Sequence, residues 1–159
     1  MLKSLALAIA AASMVLTASA DAGNPEAVAQ MLRNSDSTNV GIEWVDDTIA
    51  RIDASRDGYN YSIRMMDCND AQYCVSNMIF ATFDMVGAPG MADYMKINEY
   101  NDSYPFGRAF LIGSPDEDGY VIGVDYTFMT SDENVLGEEE VDLFFVILDS
   151  FVKHMQEES

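Results

Sequence analysis

The residues whose types and spacing best suit chemistry are the two cysteines of the chain, Cys68 and Cys74. They lie in the stretch MMDCNDAQYCVS, and their C-x5-C spacing differs from the C-x-x-C of thioredoxin-type dithiols. A zinc site would need further ligands, and the one histidine, His154, is remote in sequence. A disulfide is therefore the favoured interpretation, provided that the protein reaches an oxidising compartment.

The N-terminus predicts such a compartment. Lys3 is followed by an apolar stretch and then by small residues that end at Ala20. This order is typical of a secretory signal peptide, and the apolar part is too short to span a bilayer. We expect residues 1–20 to be cleaved after Ala20, so that residues 21–159 form a single periplasmic or secreted domain. No membrane insertion is expected after cleavage.

The flanks of the two cysteines predict a β-hairpin. If Cys68 faces Cys74 across the hairpin, then Ile63 faces Ile79. The same register gathers further apolar side chains on one face: Tyr59, Tyr61, Met65, Val75, Ala81 and Phe83. One register thus forms an apolar face and aligns the cysteines, which favours a structural disulfide over a regulatory or catalytic one.

The charge of the chain excludes some partners. It has 27 acidic and 8 basic residues and a formal net charge of −19, and cleavage after Ala20 would remove one of the basic residues. Binding to phosphate groups requires a cationic face, so nucleic acid and anionic membrane surfaces are poor partners. The acidity keeps the protein soluble, and it could also attract cations or a basic partner.

The pattern of apolar residues predicts an α+β domain with helices on an antiparallel sheet, in the order α-β-β-β-β-α-β-β-α. The predicted elements are a helix after Asn24, two or three strands through Met66, a strand after Cys74, a helix over Met91–Tyr104, two strands around the turn SPDEDG, and a helix over Gly137–Glu157. The two strands around SPDEDG have apolar residues at even positions: Phe106, Phe110, Ile112, Tyr120, Ile122, Val124, Tyr126 and Phe128.

The last predicted helix is apolar over more than one face. Its core stripe is Val141, Phe144, Phe145, Leu148, Phe151, Val152 and Met155. Leu143, Val146 and Ile147 widen this stripe beyond the width that packing on one sheet requires. We expect these three residues to contact a protein partner or a second copy of the chain, as in a homodimer, unless other helices cover them within the monomer.

Several short motifs, in their shared order, resemble the YbjN-domain family. They are a strand that ends at Cys68, the C-x5-C spacing, VSNMIF, IN-x-YN with Asn98, Tyr100 and Asn101, FGRAFL with Arg108, and a long apolar C-terminal helix. The resemblance covers roughly Pro25 to the C-terminus, and the family pattern usually has tryptophan where Tyr100 stands. It implies a role in bacterial sensory transduction and a fold like that of type III secretion chaperones, which bind polypeptides. It implies no catalytic residue.

Other residues suggest chemistry only weakly. His154 suits the C-terminal end of the last helix, and SPDEDG resembles a calcium loop but lacks its flanking helices and its final glutamate. Met91 and Met95 could bind copper(I), although core packing is the first expectation for them and a partner groove the second. Asn98, Asn101 and Arg108 are expected to be structural, the amides bonding nearby backbone and the arginine pairing with an acid.

The sequence therefore favours an exported, non-enzymatic binding or regulatory protein that needs no cofactor and engages a polypeptide. One alternative is a small envelope hydrolase with a carboxylate site, because 27 acidic residues offer many carboxylate pairs. Another is a protein that binds a cation, either calcium or copper. A cleft lined by paired carboxylates with raised pKa values would favour the hydrolase. A shift in melting temperature with calcium or copper, absent with magnesium, would favour the cation-binding protein.

Overall fold

The computed structural model of the protein describes residues 23–114, 118–131 and 135–157. The predicted signal peptide, residues 1–20, lies outside the described residues. The elements are α1 (Pro25–Asn34), β1 (Thr38–Asp46), β2 (Ile49–Arg56), β3 (Tyr59–Met66), β4 (Ser76–Met85), α2 (Met91–Ser103), β5 (Arg108–Ile112), β6 (Tyr120–Met129) and α3 (Glu138–Gln156).

The six strands form one sheet in the order β1-β2-β3-β4-β6-β5, and each neighbouring pair is antiparallel. The predicted α+β class with an antiparallel sheet is therefore confirmed. β6 lies between β4 and β5 because its ten residues pair along the whole of β4, while the short β5 covers only part of its other side. Strand β5 is consequently one edge of the sheet, and β1 is the other.

One face of the sheet is buried beneath the helices. Ile52, Ile63 and Ile79 pair across β2, β3 and β4, and each is fully buried. The rings of Tyr61 and Phe145 meet edge to face at 5.2 Å, which joins this face to α3. No described helix packs on the opposite face, which is called the open face below.

Helix α1 begins as its sequence predicts. The side chain of Asn24 accepts hydrogen bonds from the backbone N–H groups of Glu26 (3.0 Å) and Ala27 (3.1 Å), and Pro25 is the first helical residue. The carbonyl of Gly23 accepts a hydrogen bond from the Cys74 N–H at 2.7 Å. The start of the described chain is thus tied to the loop between the cysteines.

Gly107, in the motif FGRAFL, allows α3 to approach β5. Its φ is +79°, which is a left-handed conformation, and a Cβ atom there would meet Cγ2 of Ile147. Tyr100 on α2 is fully buried, and its hydroxyl donates to the carbonyl of Ile147 at 3.3 Å. These contacts make Ile147 part of the core.

The alternation predicted for the last two strands holds in β6 but not in β5. Ile122 and Val124 are buried on the helix face, as predicted. In β5 the residue opposite Val124 is Ala109, so the even residues Phe110 and Ile112 lie on the open face. The remaining predicted position, Phe106, precedes the strand and is exposed.

Candidate functional site

Cys68 and Cys74 form the predicted disulfide, and both are buried. The register is also as predicted, since Ile63 pairs with Ile79 and the rings of Tyr59 and Phe83 meet edge to face. A Cβ atom at Gly23 would lie 2.5 Å from the Tyr73 ring, so the backbone of Gly23 packs tightly on the loop between the cysteines. The disulfide therefore joins two strands and supports the start of α1, and its buried sulfurs are poorly placed for redox chemistry with a partner.

His154 is a link between two helices. Its Nε2 lies 2.9 Å from the backbone carbonyl of Lys96 on α2, and its ring meets that of Tyr100 edge to face. Lys96 in turn donates from Nζ to the carbonyls of Met155 (3.0 Å) and Glu157 near the end of α3. The imidazole thus has a structural partner, and no cysteine or serine nucleophile is hydrogen-bonded to it among the described residues.

Asn101 covers part of the edge strand β5. Its Oδ1 accepts from the Ala109 N–H at 2.8 Å, and its Nδ2 donates to the Ala109 carbonyl at 3.0 Å. One carboxamide therefore meets the two backbone groups that a further strand would use. Asn98, one turn earlier, has an exposed side chain. The predicted structural role thus holds for Asn101.

Arg108 pairs with an acid, as predicted. Its Nε and Nη2 donate to Oδ2 of Asp125 at 3.1 and 2.5 Å. The side chain of Asp125 is only 5 % exposed, whereas that of Arg108 is 67 % exposed. A buried carboxylate requires such a partner, so this ion pair makes the acid tolerable on the open face.

The open face has a groove of about 450 Å³ where β3, β4, β6 and β5 meet. Its lining consists of Arg64, Met78, Phe80, Thr82, Arg108, Phe110, Ile112 and Asp125. Phe110 lies over Gly123, where an added Cβ atom would be 2.5 Å from the phenyl ring. The groove therefore has an apolar floor, with arginines on its first and last strands, and it suits an apolar chain better than a reaction.

Sequence analysis did not identify this groove. Arg64 pairs with Met78 across the β3–β4 hairpin, and Phe80 lies two residues further along β4. The alternation of apolar residues in these strands indicates only that one face of the hairpin is buried. Asp125 on β6 pairs with Phe80 on β4 and with Arg108 on β5, which brings β4 and β5 together on either side of β6. The insertion of β6 between β4 and β5 is a long-range feature, and it had no local signal in the sequence.

A second groove, of about 290 Å³, lies between α1 and α3 and contains the nearest approach to a carboxylate site. Asp36, Glu138 and Asp142 line it around Arg56, whose Nη1 donates to Asp142 Oδ1 at 2.6 Å. That hydrogen bond raises the pKa of Arg56 above its usual range. The carboxylate of Asp142 is thus already occupied by an ion pair with Arg56.

The sequence left calcium or copper binding as an alternative. No group of three or more His, Cys, Asp or Glu side chains among the described residues could hold a metal ion. Residues 115–117 of SPDEDG lie outside the described residues. Met91 and Met95 are exposed, so the first expectation of core packing is wrong. Met91 and Met95 lie in the first turns of α2, whereas the residues of this helix that are buried in the core are Ile97 and Tyr100.

The three residues of the wide α3 stripe do not share one environment. Leu143 and Val146 are exposed, with Val146 at 64 %. Ile147 is 4 % exposed and packs against Gly107, so it is not available to a partner. Contact through Leu143 and Val146 stays a prediction.

None of the described helices is long and apolar enough to cross a membrane. A family model matches residues 24–157, and its description is "Putative bacterial sensory transduction regulator". No curated protein and no solved structure matches the chain. The matched range includes the disulfide, the groove and every helix and strand described above.

Proposed function

Because the chain belongs to the YbjN family, we propose that it is an exported, non-enzymatic regulatory protein that holds a polypeptide segment on the open face of its sheet. The family description names a regulator rather than an enzyme. Regulation by a protein of this size, without a cofactor, requires physical contact with another molecule. The open face supplies the contact surface in this proposal.

The observation that carries the proposal is the uncovered apolar groove. Phe80 and Phe110 are only partly buried, and Ile112 is 64 % exposed at the edge strand. Apolar side chains gathered on an uncovered face are typical of binding surfaces. Extended polypeptide suits this surface because its side chains alternate and can occupy successive positions of the groove.

Two further features support the proposal. The small-residue sequence before Asp21 favours export, and the disulfide is a bond that persists in oxidising compartments. A sheet with helices on one face and an acidic composition is also in keeping with the likeness to type III secretion chaperones. That likeness is one of fold, and it bears on function only by analogy.

The proposal is tested with two substitutions at equally exposed positions. Ile112 in the groove and Val146 on α3 are both 64 % exposed, and each can be changed to serine. Binding of fluorescent synthetic peptides of about ten residues, with alternating apolar side chains, is measured by anisotropy. We expect Ile112→Ser to weaken binding by about tenfold and Val146→Ser to leave it unchanged within about twofold.

The control separates the two candidate surfaces. Loss of binding in Val146→Ser alone would place the peptide on α3 and contradict the use of the open face. Absence of binding by any peptide at millimolar concentration would contradict polypeptide binding altogether. Far-ultraviolet circular dichroism of each variant verifies that the fold is retained.

A further inference from the structure

The groove on the open face differs in charge from the rest of the chain. Its charged lining residues are Arg64, Arg108 and Asp125, a net positive set, although the whole chain has 27 acidic and 8 basic residues. Asp125 is already paired with Arg108. Of the two arginines that line the groove, Arg64 is therefore the one without an ion pair within the described residues.

Arg64 differs in this respect from the arginine across from it on β2. Arg51 pairs with Arg64 in the β2–β3 register, and it bonds Glu43 at 2.7 Å and Asp53 at 3.1 Å. The guanidinium of Arg64 instead lies 5.8 Å from the centroid of the Phe80 ring, in a cation–π contact. Arg51 is thus neutralised by acids, whereas Arg64 lies over the apolar floor of the groove.

Arg108 also retains capacity to bind. A guanidinium has five N–H donors, and Asp125 accepts from two of them, one on Nε and one on Nη2. Nη1 has no hydrogen-bond partner within the described residues, and the side chain is 67 % exposed. A ligand carboxylate could therefore bind Arg108 without displacing Asp125.

On the premise of the proposed function, we propose that the groove binds an extended polypeptide segment with acidic side chains on either side of apolar ones. The acidic side chains pair with Arg64 and Arg108, and the apolar ones lie over Phe80 and Phe110. Three strand spacings separate β3 from β5, which is roughly 14 Å. An extended chain crosses that distance in about four residues, which sets the spacing of the two acids.

The high negative charge of the chain does not prevent this binding at physiological ionic strength. The Debye length is then about 8 Å, so carboxylates beyond that distance act weakly on a ligand in the groove. Within the lining of the groove, arginine is in excess. A basic segment would instead be attracted to the many acids elsewhere, with no preference for the groove.

Three matched peptides of about ten residues test the charge of the partner. They share one apolar core and differ only in two flanking residues, which are glutamate, glutamine or lysine. Anisotropy is measured with the oxidised protein, with Arg64→Glu, and with the control Arg33→Glu. Arg33 lies on α1 and pairs with Glu26, so the control makes the same change of charge away from the groove.

We expect the glutamate peptide to bind about tenfold more tightly than the lysine peptide. Arg64→Glu should remove that preference, and Arg33→Glu should keep it. If the three peptides bind equally while Ile112→Ser still weakens all of them, the groove binds polypeptide without regard to charge and this inference is overturned. If no peptide depends on Ile112, the proposed function fails as well. Arg64→Gln, a milder change, replaces Arg64→Glu if the latter does not fold.

Discussion

At the scale of single residues, neighbouring members of one motif have different tasks. Asn98 and Asn101 are one helical turn apart, yet only Asn101 bonds the backbone of β5. Tyr100 between them fills the core and stacks on Tyr104 at 4.5 Å. The motif therefore docks α2 on the sheet through two adjacent residues, while the face with Asn98 remains exposed.

Asn101→Ala should destabilise the protein by roughly 1–3 kcal/mol, because the N–H and the carbonyl of Ala109 lose their partner. Asn98→Ala is the matched control, and its effect should stay within about 0.5 kcal/mol. Urea denaturation measures both. An edge strand with freed backbone groups also tends to pair with other chains, so aggregation of Asn101→Ala should increase. Equal stability of the two variants would contradict the role of the carboxamide.

Tyr100 makes stability sensitive to high pH. Burial and the neighbouring Tyr104 raise the pKa of Tyr100 from 10.0 to about 12. The folded state thus favours the neutral phenol, and the associated stability is present below pH 10 and lost as the pH rises towards 12.

Tyr100→Phe should therefore lose less stability than the wild type between about pH 9 and pH 11. The loss of stability over this pH range should be smaller in the variant by an amount on the order of 1–2 kcal/mol. The variant also lacks the hydrogen bond to the Ile147 carbonyl, which lowers its stability already at neutral pH. Denaturation at both pH values measures it. Tyr61 also has a raised pKa through burial, so some pH dependence should remain in the variant. Equal losses in the two proteins would show that Tyr100 ionises normally.

At the scale of elements, Gly107 sets how closely α3 approaches β5. Gly107→Ala should destabilise the protein by roughly 1–3 kcal/mol, because the new methyl group meets Ile147 in a left-handed backbone conformation. Gly41→Ala in β1 is the control, since a Cβ atom there would contact nothing within 4 Å. Thermal unfolding compares the two variants. A similar melting temperature for both would mean that α3 can shift without cost.

The sequence allowed the hairpin of β3 and β4 to be predicted in detail, because the cysteines and the apolar alternation agree on one register. The start of α1 was equally predictable from Asn24 and Pro25. Which face of β5 is buried was not predictable, because this five-residue strand has apolar side chains on both faces. Pairing with β6 decides it, and so it also decides that Phe110 lines the groove.

At the scale of the whole molecule, the disulfide connects the sheet to the start of the described chain. Alkylation without reductant, followed by mass measurement, should find no free thiol in the protein if it is exported as proposed. Reduction should lower stability by about 2 kcal/mol, because the loop that the disulfide closes is short. It should also expose the backbone near Gly23 to proteolysis, since Cys74 and Tyr73 hold it. Two alkylated cysteines in the unreduced protein would contradict the structural role.

The exposed part of α3 and the net charge act in opposite directions on self-association. Leu143 and Val146 are apolar and exposed, which favours contact between two copies, whereas a formal charge of −19 on each copy opposes it. Salt screens the repulsion but leaves the apolar contact intact. Association through α3 should therefore become stronger as ionic strength rises.

Light scattering over a wide range of protein concentration, at low and high salt, tests this prediction. We expect dimers to increase with salt, and Val146→Glu or Leu143→Glu to abolish them while leaving a folded monomer. Ile112→Glu is the control, because it adds the same charge on the open face, and it should still dimerise. A wild type that is monomeric at every concentration and salt would show that the exposed α3 residues do not mediate self-association. Unfolding of Val146→Glu would mean that this side chain contributes to the core despite its exposure.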